Sequence, residues 1–156
     1  MNLVGIKSAL AAGLRVAMPD GVRVHRAPPP KTEMPCLVLS WPERIEYNRS
    51  FAQGSTVEIG LTLLVAQTET EYAHYQLESA VSLVDCSDDI EALTGQPLAA
   101  PPVPAIAPIV KGIASELWES AYVTEATSFG TYTTGANEGF GCVFSITVDA
   151  VGVPKS

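Results

Sequence analysis

The stretch STVEIGLTLLVAQ, residues 55–67, decides how the rest of the chain is read. Its odd positions are Val57, Ile59, Leu61, Leu63 and Val65; its even positions are Glu58, Gly60, Thr62, Leu64 and Ala66. Apolar residues at every second position describe a β-strand with one face on a core. Taking those five side chains out of water is worth roughly 8–15 kcal/mol, at about 1.5–3 each, so the strand is read as the centre of a sheet. The even face is polar at Glu58 and Thr62 but apolar at Leu64 and Ala66. That second face needs a cover, and the expectation is a neighbouring copy, helped by a proline-rich segment further along.

After this strand comes Thr68-Glu69-Thr70-Glu71, read as a capping box in which Thr68 caps a helix and Glu71 reaches back. The helix is expected to run through Leu77, Ala80, Val81 and Val84 to about Asp85, with Gly95 as a later stop. Residues 96–108, QPLAAPPVPAIAP, carry no charge and are too proline-rich for a helix. They are expected to lie extended against a surface. Residues 120–133 are rich in β-formers, Thr134-Gly135-Ala136-Asn137 is a turn, and Phe140, Cys142, Phe144, Ile146, Val148 and Ala150 alternate along a last strand.

Before the central strand, residues 43–54 (ERIEYNRSFAQG) are mostly polar and read as a hairpin tip or loop. Cys36–Trp41 reads as a strand with Leu37, Leu39 and Trp41 on one face, and Pro42 admits only an edge or a bulge. Pro28-Pro29-Pro30 is an extended connector, and Val22–Arg26 alternates as a short strand. Leu3, Ile6, Leu10 and Leu14 form the stripe of an amphipathic helix that Pro19-Asp20-Gly21 ends. Lys7 and Arg15 interrupt its apolar run, so it is read as a structural helix and not a signal peptide. The elements together predict an α+β fold. It is a mostly antiparallel sheet of four to five strands with two or three helices on one face, in a single domain over residues 1–156.

Of the 156 residues, 47% are hydrophobic and 17% charged, which suits one globular domain. No apolar run approaches the roughly 20 residues of a membrane helix. Cys36, Cys86 and Cys142 lack any paired spacing, so buried thiols in a reducing compartment are expected. The net charge of -8 is unevenly spread. Lys7, Arg15, Arg23, Arg26, Lys31, Arg44 and Arg49 make the first third basic, and no Lys or Arg follows until Lys111. The interval between holds Glu58, Glu69, Glu71, Glu78, Asp85, Asp88, Asp89 and Glu91. Such a surface argues against affinity for nucleic acid, whose phosphates call for cations.

Chemistry is sparse. His25 alternates outward from its strand, and His74 stands early in a helix beside Tyr72 and Tyr75; neither has a partner at metal or triad spacing. The group DCSDDIE, Asp85–Glu91, lacks the alternation and glycine of a calcium loop and reads as a solvated helix end. Gly139-Phe140-Gly141 is only a fragment of a nucleotide loop and marks a strand entrance. No GxSxG, P-loop, CxxC or HExxH pattern occurs, so no catalytic residue, cofactor or metal is assigned. The aromatic residues Tyr47, Phe51, Trp118, Tyr122, Phe129 and Tyr132 read as core margin or interface anchors. Tyr47, Phe51, Leu64 and Ala66 are the interface candidates.

In layout the chain resembles the tail-terminator (tail-completion) proteins of long-tailed bacteriophages. The resemblance lies in the N-terminal amphipathic helix, the approach MPCLVLSWPE, and the strand-into-helix run TVEIGLTLLVAQTETEYAHYQLESAV. A final hairpin ending GFGCVFSITVDAV completes it. It covers approximately residues 2–151, and the proline segment 96–108 departs from it. The resemblance implies a structural virion protein at the head-tail junction, assembled in the host cytoplasm, with no enzymatic activity. It implies a homohexameric ring that caps the major tail tube protein, meets the head-completion or connector protein, and lets DNA pass without specific binding. No membrane is involved in such a role. In such a ring Glu69, Glu71 and Glu78 are expected to face the lumen. Two other readings stand beside it: another head-tail connector or minor tail protein, and a small metal- or ligand-binding enzyme domain near Asp85–Glu91 and His74.

Overall fold

The computed structural model of the chain describes residues 1–29, 33–47, 54–96, 98, 102–134 and 137–151. In chain order the elements are α1 (Leu3–Ala17), β1 (Arg23–His25), β2 (Cys36–Tyr47), β3 (Ser55–Ala66) and α2 (Glu71–Val81). There follow α3 (Ser87–Thr94), α4 (Ile106–Gly112), β4 (Trp118–Thr134) and β5 (Asn137–Ala150). The strands make one sheet in the order β1-β2-β3-β5-β4. β1 runs parallel to β2, and the other pairings are antiparallel. This is the α+β fold that the alternation implied, with β3 at the centre.

Val57, Ile59, Leu61 and Leu63 of β3 are fully buried beside Cys142, Ile146 and Val148 of β5. Onto that face α1 packs Ile6, Leu10 and Leu14, α2 packs Ala73, Leu77 and Ala80, and α4 packs Ile106 and Val110, all in one apolar cluster. Each fully buried Leu or Ile contributes about 1.5–3 kcal/mol, so the two-layer arrangement follows from the period-2 and period-3.6 stripes meeting. Ile90 of α3 is buried apart from this cluster.

Several expectations are corrected. Four helices form among the described residues, not two or three, because part of the proline segment is helical. Pro108 is the third residue of α4, a position whose N–H has no partner inside the helix, so its missing donor costs nothing there. The segment ahead of α4 is held by its own chain: Val103 N donates to Gln76 Oε1 at 2.7 Å, and Ser79 Oγ donates to the Val103 carbonyl at 2.8 Å. Helix α2 is capped by Thr70, whose hydroxyl accepts from Ala73 N, not by Thr68. It ends at Val81, and α3 restarts at Ser87 and closes on Gly95 in the left-handed region at φ 71.

Residues 43–47 belong to β2 and are not a loop tip. Pro42 is tolerated through register shifts on both sides of it, one of the two arrangements, an edge or a bulge, that the sequence allowed. Next to this bulge Trp41 is 84% exposed and not part of the core where it was expected, with Lys7 Nζ 5.9 Å from its ring centroid.

Leu64 is covered by its own chain. It is 1% exposed, lies directly opposite Cys36 and Gly141, and closes over Gly139, as the Met34 side chain also does. Glycine is required at 141, where a Cβ would stand 1.7 Å from the Leu63 carbonyl oxygen. Ala66 leaves the second face altogether: a register shift between Leu64 and Ala66 places it opposite Phe140, where it packs on the main core. The expected neighbouring copy is therefore not needed to bury Leu64, and the half-buried Ala66 packs on its own chain.

Candidate functional site

The acidic middle of the chain builds a cleft beside α2. His74, Leu77, Glu78 and Val81 recur at helical spacing, so one face of α2 presents them together. Glu69 stands just before the Thr70 cap and reaches forward, its Oε1 2.7 Å from His74 Nε2. The imidazole ring lies 5.1 Å from the Phe140 ring at a 42° tilt, which sets it against the end of β5. Phe129 forms the far wall and is 54% exposed.

The backbone explains Phe129. Ser128 has φ 57 and Gly130 has φ 150, within a register shift between Thr127 and Gly130. Tyr132 OH donates to the Ser128 carbonyl and pins that bulge. The hollow encloses about 480 Å³. Its walls hold two carboxylates, an imidazole and two phenyl rings, and among the described residues no Ser, Cys, Thr or Lys lines it to act as a nucleophile. Chemically it suits a cation, by charge from Glu69 and Glu78 and by the π faces. A larger hollow of about 650 Å³ runs along β4 past Lys111, Trp118, Glu119 and Tyr122.

The three glutamates expected at a lumen are split. Glu69 and Glu78 line the cleft, whereas Glu71 lies in a separate hollow with Tyr72, Tyr75 and Leu93. There Tyr75 OH donates to Glu71 Oε1, and this bond to a carboxylate raises the Tyr75 pKa above its ordinary value. Tyr47 is exposed at the end of β2, opposite Ser55. Phe51 lies outside the described residues.

The Asp85–Glu91 group works as helix punctuation. Asp85 Oδ1 accepts from Ser87 N at 3.0 Å and Ser87 Oγ at 2.6 Å, and these bonds hold its carboxyl below the usual range. Asp88 and Asp89 follow in the first turn of α3, where the helix dipole favours them. Among the described residues no three His, Cys, Asp or Glu side chains gather as a metal site. His25 is half-buried, and among the described residues its Nε2 has no hydrogen-bond partner.

The sheet face away from the helices is polar over most of its extent, where more apolar surface was expected. Asp149 Oδ2 accepts from Ser120 Oγ at 2.7 Å, and its Oδ1 accepts from Thr56 Oγ1 at 3.4 Å, which joins three strands. Ser40 Oγ donates to the Gly60 carbonyl, and Thr124 Oγ1 to that of Ser145. The two sheet edges carry opposite charge. Strand β4 holds Glu119 and Glu125 and no Lys or Arg, while β1 holds Arg23 with Arg26 just beyond it. Arg15 of α1 adds to that basic edge by donating from Nε to the Val24 carbonyl. No helix among the described residues is long and apolar enough to cross a membrane. The chain matches no known protein family in a scan of family patterns, and no curated protein matches it either.

Proposed function

We propose that the chain is a ring-forming structural subunit of a long-tailed phage, the terminator that caps the tail tube and joins it to the head-completion protein. The observation that carries the ring is the opposite charge of the two sheet edges, basic along β1 and acidic along β4 and the α2 cleft. A surface that complements a different surface of the same chain makes heterologous contacts, and these close into rings when the rotation allows. Six copies and the position at the tail end come from the resemblance in layout.

In this reading the open sheet face lines the lumen, in place of Glu69, Glu71 and Glu78. Helix α2 packs on the opposite side of the sheet, whereas the open face offers Glu58, Asp149 and a field of hydroxyls. A carboxylate surface withholds the cations that DNA phosphates seek, so the duplex slides without sticking. Light scattering after size exclusion, with negative-stain images of the same fractions, tests the ring directly. A closed ring with a central hole supports the proposal. A monomer moves the test to purified tails, and absence of the protein from their head-proximal end overturns it.

A further inference from the structure

We infer that the cleft beside α2 takes the Arg23 guanidinium of a second copy of this chain, in an overlapping contact between the β1 edge of one subunit and the β4 edge of the next. The inference rests on the ring reading above and adds the residue that the neighbour supplies.

Register places the two features at one level of the sheet. Arg23 pairs with Cys36, Cys36 with Leu64, Leu64 with Gly141, and Gly141 with Gly130, which is itself a wall of the cleft. Four interstrand spacings of about 4.8 Å separate the ends of this row by about 19 Å, too far for Arg23 to reach the cleft of its own chain. A second copy displaced sideways along the row meets the cleft at the matching height.

The two features lie on opposite faces of the sheet. Val24 is buried in the helix-side core, so Arg23 points to the open side of the sheet, while the cleft lies beside α2 on the helix side. The two meet when the β1 edge of one subunit overlaps the β4 edge of the next, and not when the sheets join edge to edge.

Arg23 is the arginine of its edge best placed to leave. Arg15 donates to the Val24 carbonyl, and Arg26 donates to Ser8 Oγ and the Val4 carbonyl, so both are tied to their own chain. Among the described residues the Arg23 side chain holds only the exposed carboxylate of Glu33, at 3.3 Å with both side chains 63% exposed. Such a pair contributes little and is readily exchanged. A guanidinium suits the cleft better than an ammonium because its plane stacks on phenyl faces while its fork meets carboxylates.

The test is charge exchange in the full chain: Arg23→Glu and Glu78→Arg singly and together, with assembly followed by light scattering against concentration. Each single variant should need at least about tenfold more protein for half-assembly, the scale of a charge pair partly shielded from water. The double variant should return to within about twofold of the parent. Single variants that assemble like the parent overturn the Arg23 contact and leave the ring reading standing. A double variant no better than the worse single one also overturns it. A parent that never assembles, alone or on purified tail tubes, overturns the ring reading and this contact with it.

Discussion

Replacing Leu64 separates a residue that buries itself within the chain from one that waits for a partner. Its side chain is 1% exposed, closes over Gly139 beside the Met34 side chain, and lies outside the main apolar cluster. Leu64→Ala removes roughly three carbon groups at about 0.8 kcal/mol each, near 2.4 kcal/mol before any cavity term. The unbranched Met34 side chain can partly refill the space, so the total should lie near the low end of the Leu→Ala range, about 2.5–3 kcal/mol. For a domain of this length each kcal/mol moves the midpoint by about 2–4 °C, so Tm should fall by about 5–12 °C. Leu64→Asp places a carboxylate without a partner in the same space and should leave little folded protein. Thermal unfolding by circular dichroism, repeated on a dilution series, reads both variants. If the Leu64→Ala monomer keeps the parent Tm but no longer assembles, Leu64 is an intersubunit contact and the reasoning fails.

Three other outcomes follow from burial and close packing. Cys36 and Cys142 are buried, which pushes their thiols up to about 11 and about 12, while Cys86 is partly exposed. A thiol reagent at pH 8 should label Cys86 alone until denaturant is added; rapid labelling of all three would contradict the buried assignment. Because both folded pKa values lie above the ordinary 9.0, their contribution to stability is complete below about pH 9 and is lost as pH rises toward 12. A urea midpoint unchanged between pH 8.5 and 11 would refute that part. Gly141→Ala forces a Cβ to 1.7 Å from the Leu63 carbonyl oxygen and should cost about 3 kcal/mol or more, whereas Gly112→Ala, with nothing within 4 Å, should cost less than about 0.5 kcal/mol. Equal urea midpoints for the two variants would show that the β3–β5 approach is looser than described.

Strands and helices were legible wherever burial was one-sided and periodic. The stripe Leu3, Ile6, Leu10 and Leu14 and the alternation from Phe140 to Ala150 map directly onto α1 and β5, because a side chain's facing follows its spacing. Bulges broke that rule. Around Pro42 and between Leu64 and Ala66 an extra residue breaks the alternation, so Trp41 stays exposed and Ala66 pairs opposite Phe140. The cleft was only half visible. Glu69, His74 and Glu78 lie close in sequence, and helical spacing put His74 and Glu78 on one face of one helix. Phe129 and Phe140 come from the opposite end of the chain and arrive only through the β4–β5 pairing.

By itself the sequence determined the local chemistry: which residues alternate, where glycine and proline permit or forbid a ladder, and how charge divides the chain into a basic first third and an acidic middle. These depend on neighbours within a few residues. The tertiary structure alone decided what covers Leu64, which carboxylates share a cleft, and that Arg23 and Gly130 end the same cross-strand row. Each of those facts is a long-range pairing, set by which strands lie side by side and in what register, and no local period encodes that choice.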